Sequence, residues 1–199
     1  MDQLVHMSEE GEVAPGPRQR LIDSAIAMMR ERGVHATGLA DLLKRSGTAR
    51  NSIYQHFPEG KAELIAAAER EASGLAKGFL DALRARGDAE YLLTKFIGWW
   101  VNQLQTHDFD TGCPHAAAAL AGPGEAQIRA AAHDAFVGMR VRLAESFRDS
   151  GVREGVDSLA SLAVSAIEGA LLQAQAAHSV QPLREVEAEL IALIRARTD

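Results

Sequence analysis

Residues Thr37–Lys61 read TGLADLLKRSGTARNSIYQHFPEGK, and their apolar spacing predicts two short helices joined by a sharp turn. The first apolar face consists of Leu39, Leu42 and Leu43. The second consists of Ile53 and Phe57. Gly47 lies between them and permits the positive φ that a steep turn between helices requires. This stretch therefore predicts a helix-turn-helix.

The second of these helices, predicted over Ala49–Phe57, has an outer surface of small and polar side chains. They are Ala49, Arg50, Asn51, Ser52, Gln55 and His56. Arginine can pair with guanine, asparagine and glutamine can pair with adenine, and an alanine methyl group can meet the methyl group of thymine. We therefore expect this surface to contact double-stranded DNA. The alternative is a helical hairpin that serves only for packing, with Tyr54 and Phe57 in the core.

Residues around this helix complete the predicted DNA surface. Tyr54, His56 and Thr37 suit phosphate oxygens. We expect Thr48 to cap the helix by accepting a hydrogen bond from an amide near Asn51. Lys61, at the start of the next helix, adds a positive charge.

The distribution of charge supports this interpretation although the whole chain is acidic. The formal net charge is -6 over 199 residues, which by itself argues against a nucleic-acid partner. Residues 17–66, however, carry eight Lys and Arg against five Asp and Glu, while the segments on either side are acidic. The basic segment is the one that holds the helix-turn-helix.

The rest of the chain shows helical spacing throughout, and no alternating strand pattern. Residues 1–16 mix acids with Gly and Pro and predict a mobile tail. Helices are predicted from Pro17 to Gly33, from Lys61 to about Leu83, over Tyr91–Leu104, about Ile128–Phe147, over Val156–Ala177, and around Val186–Ile194. The fold class is therefore all-α, with about nine helices.

Several aromatic and polar residues of the later helices are candidates for a pocket that binds a small, largely hydrophobic molecule. They are Phe96, Trp99, Trp100, Gln103, His107, Cys113, Phe136, Met139, Glu168 and Gln173. Trp99 and Trp100 are neighbours on a helix, so we expect only one of them to line a cavity. A carboxylate such as Glu168 within an apolar helix requires a partner, and either a core hydrogen bond or a pocket role supplies one.

The segment His107–His115 (HDFDTGCPH) gathers residue types that occur in metal and redox sites. Its spacing matches no established zinc pattern, so we expect no metal, and no cofactor motif occurs elsewhere. We interpret the segment as a loop and helix start at the mouth of a cavity, with Cys113 as a small buried residue. Oxidation sensing by Cys113 requires a lowered thiol pKa. The chain has one cysteine, and it shows no evident leader and no uninterrupted apolar span. These features predict a cytoplasmic protein that is not inserted in a membrane.

The stretch Thr37–Lys61 resembles the TetR family of bacterial repressors, whose pattern is close to G-(V/T)-(S/T)-x-x-x-(I/L)-Y-x-H-F-P-x-x-K. The matching residues are Gly47, Thr48, Ile53, Tyr54, His56, Phe57, Pro58 and Lys61. Asn51 departs from it, because the family usually has glycine there. The runs TGL, FPEGK, GCP and EGALL look like the LmrA/YxaF branch, whose members regulate drug-efflux and related genes.

The resemblance implies a ligand-responsive repressor that binds a palindromic operator as a homodimer and is released by a small inducer. It implies a DNA-binding domain over 17–63, followed by a ligand-binding and dimerisation domain over 64–199 that dimerises through its last two helices. The apolar faces of the helices in Val156–Ile194 independently predict that another helical surface packs against them. The alternatives are a protein-binding helical adaptor and a small helical-bundle enzyme, for which we find no nucleophile or phosphate-loop motif.

Overall fold

The computed structural model describes residues 15–198, which contain helices and no strands. The helices are α1 (Pro17–Arg32), α2 (Leu39–Ser46), α3 (Arg50–His56), α4 (Lys61–Arg84), α5 (Ala89–Thr106), α6 (Pro114–Ala119), α7 (Ala126–Asp149), α8 (Val156–Ala177) and α9 (Gln181–Thr198). The prediction of an all-α fold with about nine helices is confirmed for this part of the chain. The predicted mobile tail lies outside the described residues except for positions 15 and 16.

Local sequence signals explain where several helices begin and end. Pro17 occupies the first turn of α1, where its missing amide hydrogen costs nothing. The side chain of Asp88 accepts a hydrogen bond from the Tyr91 amide at the start of α5. α8 has the bounds that its sequence predicted, whereas α9 begins at Gln181, five residues earlier than its apolar stripe indicated.

Buried side chains form two separate cores. The first core joins α1, α2 and α3 to the beginning of α4 around Leu21, Ile53, Phe57 and Leu64. It also includes alanines of the α6 region and the first turns of α7, at Ile128 and Ala132. The core of the helix-turn-helix therefore draws on residues far beyond position 63. The second core lies among the later helices and contains most of the aromatic side chains.

α4 belongs to both cores. Its first two turns contribute Leu64, Ile65 and Ala68 to the first core, and its last turns contribute Leu80 and Leu83 to the second. α4 also packs along α7, which runs between the same two cores. A single continuous helix therefore joins the two cores.

α8 is the most apolar of the described helices. Its length and composition alone are sufficient for a membrane span, a property that the core helices of globular proteins share. Leu159, Ile167 and Leu171 on one face are buried in the second core. Leu162 and Leu172, on other faces of α8, are 47% and 62% exposed. One side of α8 is thus packed within the chain and another is open.

Candidate functional site

The turn between α2 and α3 has the backbone geometry that the sequence predicted. Gly47 adopts left-handed φ and ψ of 61° and 32°, a conformation that side chains with a Cβ atom disfavour. α2 is anchored from behind by Arg20, whose Nε donates to the carbonyl oxygen of Ser46 at 3.0 Å. The helix-turn-helix is therefore held against α1.

α3 has one buried face and one exposed face, as predicted. Ile53 and the following Phe57 are almost completely buried in the first core. The exposed side chains are Ala49, Arg50, Asn51, Tyr54 and Gln55, while Ser52 and His56 are half-buried. Tyr54 is 50% exposed, which contradicts the packing-only alternative in which it belonged to the core. The exposed side of α3 is free of other described parts of the chain, and contact with DNA remains a prediction.

Two predicted roles in this region were wrong. Thr48 does not cap α3, because the helix begins at Arg50 and the capping position belongs to Ala49, which offers no oxygen. The Thr48 hydroxyl instead lies 2.7 Å from that of Ser46. Ala49 stands where the family pattern has Ser or Thr, so α3 lacks a stabilisation of about 1 kcal/mol that a capping hydroxyl provides.

Thr37 is also unavailable to a phosphate oxygen. Its side chain is fully buried, and its hydroxyl donates to the Gly33 carbonyl oxygen at 2.7 Å, beyond the end of α1. Lys61 has a related structural role, because its Nζ donates to the carbonyl oxygen of Val34 at 3.2 Å. An ammonium group has further donors, so a phosphate contact by Lys61 remains a prediction.

Some of the basic side chains near α3 form ion pairs within the described chain, and others do not. Arg45 pairs with Glu31 at 2.6 Å, and this hydrogen bond lowers the pKa of the Glu31 carboxyl group. Arg32 pairs with Asp41 at 3.2 Å. Within residues 15–198, Arg50 forms no salt bridge, so its charge is available to an external anion.

A cavity of about 290 Å³ lies between the two cores and is lined by five of the helices and the start of α6. Six of the predicted pocket residues line it: Phe96, Trp99, Trp100, Cys113, Met139 and Glu168. The expectation that only one tryptophan faces the cavity was wrong. The two indole rings meet edge to face with centroids 4.7 Å apart, which turns both of them toward the same space.

The other four predicted pocket residues lie elsewhere. Gln103 accepts a hydrogen bond from Arg30 at 3.0 Å, outside the cavity lining. His107 and Gln173 are exposed on the surface. Phe136 contacts the edge of the His115 ring and so stands behind the cavity wall. These positions share a helix face with lining residues in sequence, but the helices are rotated and spaced differently from that expectation.

The cavity also contains residues that sequence reasoning missed. Five of them belong to α4: Ala72, Leu75, Ala76, Phe79 and Leu80. Ile26 and Arg30 reach it from α1, and His115 reaches it from α6. The amphipathic spacing of α4 was visible in the sequence, but it indicates burial and does not distinguish a cavity wall from a filled core. Nothing in the sequence marked Arg30, whereas His115 belongs to the segment His107–His115 that was expected at the mouth of a cavity.

Arg30 connects α1 to the segment before α6. Its Nε donates to the Gly112 carbonyl oxygen at 3.2 Å, and the Gly112 amide donates back to the Arg30 carbonyl oxygen at 2.9 Å. A Cβ atom at position 112 would lie 2.9 Å from Oε1 of Gln175, so a larger residue there would displace the end of that side chain. The guanidinium group also lies about 6 Å from the ring centres of Trp99 and Trp100. Burial lowers the pKa of Arg30.

The remaining polar groups form a cluster at one end of the cavity. Nδ1 of His115 lies 2.6 Å from Oε1 of Glu69, and both residues are buried. The other Glu69 oxygen is buried without a hydrogen-bond partner among the described residues. Burial raises the pKa of Glu168 above its usual range; the adjacent Cys113 thiol and His115 lower it, and Glu69 raises it further.

The Cys113 thiol has a raised pKa, whereas an oxidation sensor requires a lowered one. Burial, followed by the nearby Glu168 carboxylate, raises the pKa of Cys113 well above its usual value. A thiol held in its protonated form is a poor nucleophile. The residues that the structure describes also contain no group of three His, Cys, Asp or Glu arranged to hold a metal ion.

Comparison with known proteins places this architecture in a family. The profile of the bacterial regulatory proteins of the tetR family matches residues 21–68, and that of the LmrA/YxaF-like transcriptional regulator C-terminal domain matches residues 91–189. The uncharacterized HTH-type transcriptional regulator Rv0196 of Mycobacterium tuberculosis is 35% identical over 91% of this chain and 95% of its own. The HTH-type transcriptional regulator LmrA of Bacillus subtilis is 27% identical over 85% of this chain and 92% of its own.

Solved structures show the same fold. A TetR transcriptional regulator from Legionella pneumophila superposes with a TM-score of 0.81 at 20% identity, over 92% of this chain and 98% of its own. The regulatory protein TetR from Rhodobacter sphaeroides gives 0.79 at 23% identity, over 87% and 96%. The chain belongs to the TetR family, a class of DNA-binding transcriptional regulators. Its C-terminal domain is of the LmrA/YxaF-like type, and the enzyme alternative is set aside because these proteins are regulators.

Proposed function

We propose that this protein is a repressor that binds a palindromic operator as a homodimer and leaves it when a small, largely hydrophobic inducer enters the cavity. The observation that supports this most directly is the position of α4. The same helix that packs against the recognition unit through Leu64 and Ile65 forms a wall of the cavity through Leu75 and Phe79.

DNA recognition is assigned to the exposed side of α3. Arg50 and Asn51 are exposed at its first turn, next to Ala49, and they offer the donors that read guanine and adenine edges. Ser52, Tyr54, Gln55 and His56 lie further along the helix and are assigned to flanking base or phosphate contacts. Thr37 drops out of this set because its side chain is buried, whereas Thr48 loses only its capping role and its contact with DNA stays a prediction.

Dimerisation is assigned to α8 and α9. Leu162 and Leu172 project from α8 on faces that the chain itself leaves open, and apolar surface of this kind is stabilised by burial against a second copy. A two-fold dimer places two recognition helices in successive major grooves, roughly 34 Å apart, which corresponds to a palindromic site.

Induction follows from the two-state character of this arrangement. In the DNA-bound state the two α3 helices have the spacing of successive grooves. A ligand that fits the cavity better in a second state displaces α4 and changes that spacing, so promoter affinity falls. By linkage, DNA lowers the affinity for ligand by the same factor. We also propose that the protein is located in the cytoplasm, where its operator DNA is.

The test is a fluorescence-anisotropy titration of the full chain with DNA from upstream of its own gene, at several salt concentrations. We expect specific binding that weakens with salt, and a loss of roughly 100-fold when Arg50→Ala and Asn51→Ala are combined. The matched control is Arg153→Ala, an exposed arginine before α8, which should stay within twofold. Unchanged promoter binding by the double variant, or absence of specific binding at every salt concentration, would refute the proposal and favour a protein-binding role.

A further inference from the structure

The cavity is apolar over most of its surface but has one polar end. Aromatic side chains of α4 and α5 supply much of the wall, with the Phe79 ring centre 6.2 Å from that of Phe96 and 5.9 Å from that of Trp99. Cys113, His115 and Glu168 form the polar end. A ligand that fits this space therefore has a flat apolar body and a polar group at one end.

Glu168 lies at the polar end of the cavity, next to Cys113 and near His115. It forms no salt bridge with any of residues 15–198. The Cys113 thiol is its neighbouring hydrogen-bond donor, and burial raises the pKa of Glu168 although this thiol and His115 lower it. A carboxylate in this position gains from any cation that enters the cavity.

Glu69 adds a second carboxyl group behind His115. It is completely buried, and only one of its two oxygens has a hydrogen-bond partner in the described chain. Its proximity is one of the influences that raise the pKa of Glu168. Glu69 and Glu168 are two carboxyl groups at this end, whereas Arg30 is the one Lys or Arg side chain among the lining residues. The polar end therefore favours a positively charged guest.

Arg30 is already engaged and is a weaker candidate for recognising a ligand. Its Nε and Nη2 donate to Gly112 and Gln103, at 3.2 Å and 3.0 Å, and its guanidinium group lies against the two indole rings. A ligand carboxylate would need to compete with these contacts. An ammonium group beside Glu168 would displace none of them.

We propose that the cavity binds a flat aromatic molecule that carries one protonated amine, with the Glu168 carboxylate accepting a hydrogen bond from the ammonium group. At about 290 Å³ the cavity suits a ligand of two or three fused rings. The ring system contacts Phe79, Phe96 and Trp99, and the amine lies beside Glu168 and Cys113. This inference rests on the proposed function, since it names the class of the inducer.

The experiment uses calorimetric titration of the full chain with three probes that share one ring system. They are 2-naphthylmethylammonium, 2-naphthylmethanol and 2-naphthylacetate, which are cationic, neutral and anionic. We expect the ammonium probe to bind at least roughly tenfold tighter than the alcohol, because a buried hydrogen bond to a charged group is stronger than a neutral one. The probe series is measured on the unaltered protein, so it does not depend on the folding of a variant.

Glu168→Gln keeps the size of the side chain and removes its charge. It should bring the ammonium probe to within threefold of the alcohol and leave the alcohol within twofold of its original affinity. Glu185→Gln on α9, an exposed position remote from the cavity lining, is the matched control and should change neither. Equal affinity for ammonium and alcohol, or tightest binding of the acetate, would overturn the assignment and indicate Arg30 or the apolar wall as the recognising element.

Binding to promoter DNA is measured on the same preparations. If the protein binds its promoter but none of the three probes, the ligand class is wrong and the DNA-binding function stands. If the ammonium probe binds as expected but no promoter fragment is retained, the ligand class stands and the proposed function fails. The two failures are therefore distinguishable.

Discussion

Glu168 shows how burial of one ionisable side chain makes the stability of a fold depend on pH. Burial next to Cys113 raises its pKa, so the folded protein holds this proton more tightly than the unfolded chain does. A carboxyl group with a raised pKa contributes stability below its unfolded pKa, which is about 4.3 for glutamate. That contribution is lost as the pH rises through the folded pKa.

The first prediction follows from the direction of this pKa shift. Glu168→Gln should be more stable than the unaltered protein at pH 7 to 8, because the amide has no charge to bury. The difference should disappear at a pH below about 4.3, where the glutamate is protonated in both states. Urea unfolding at a series of pH values measures it, with Glu185→Gln as the exposed control. A variant that is less stable at neutral pH would show that the carboxylate has a partner in the folded protein.

At this scale the sequence was informative about residue type and less so about neighbours. Glu168 stood out because a carboxylate interrupts an apolar helix, and Phe96 and Trp100 because they are large and apolar. Arg30 gave no comparable signal, and His115 was noted only as part of the segment His107–His115. Both reach the cavity through contacts across large sequence separations, such as His115 with Glu69, which only the packing of helices creates.

At the scale of elements, α1 contributes to both halves of the molecule. Its buried side packs against α2, α3 and α4, and Arg30 near its end joins the cavity wall to Gln103 and Gly112. α4 makes a parallel connection through its own length. The first core is therefore attached to the cavity at two places, and under the proposed mechanism a ligand shifts α3 through either of them.

The second prediction concerns the connection through α1. Arg30→Lys keeps the positive charge but loses the planar fork that reaches Gln103 and Gly112 together. We expect promoter affinity without ligand to change little, while the loss of affinity caused by a saturating cavity ligand shrinks by about two- to thirtyfold. Anisotropy titrations of promoter DNA, with and without a ligand that quenches the cavity tryptophans, give two promoter affinities. The ratio of these affinities measures the effect of the ligand.

Arg32→Lys is the matched control, because Arg32 lies one half-turn further along α1 and forms only an exposed pair with Asp41. It should leave the ratio unchanged. If Arg30→Lys responds to ligand as fully as the unaltered protein, then α1 does not transmit the signal and α4 alone must do so.

The bounds of the elements were largely predictable from local chemistry. Pro17, Gly47 and the period of α8 set helix ends through steric and hydrogen-bonding constraints that act within a few residues. The start of α3 was missed by a single residue. Thr48 has the chemistry of a cap, but the backbone enters the helix only after Ala49, and Ser46 offers the Thr48 hydroxyl a nearer partner.

At the scale of the whole molecule, the exposed apolar side of α8 is the feature that predicts assembly. The third prediction is that Leu162→Glu combined with Leu172→Glu converts a dimer into a monomer, because a buried charge without a partner is costly at an interface. Sedimentation equilibrium measures the mass, and promoter titration should show a parallel loss of affinity, since one recognition helix makes half of the contacts.

Val141→Glu serves as the control for this prediction. Val141 on α7 is 47% exposed, the same as Leu162, but it lies outside the helices assigned to the interface. The control variant should remain dimeric. A double variant on α8 that sediments as a dimer would show that the second copy binds a different surface.

The amino-acid sequence by itself determined the all-helical fold, the helix-turn-helix and the polar side of α3, because these depend on periodicity and turn chemistry within one segment. Tertiary structure alone decided the composition of the cavity, the burial of Thr37 and the link from Arg30 to Gly112. The physical reason is that a helical period indicates which face of a helix is covered, but not which other helix covers it. The contacts between α1, α4, α6 and α8 are set by the simultaneous packing of the whole chain.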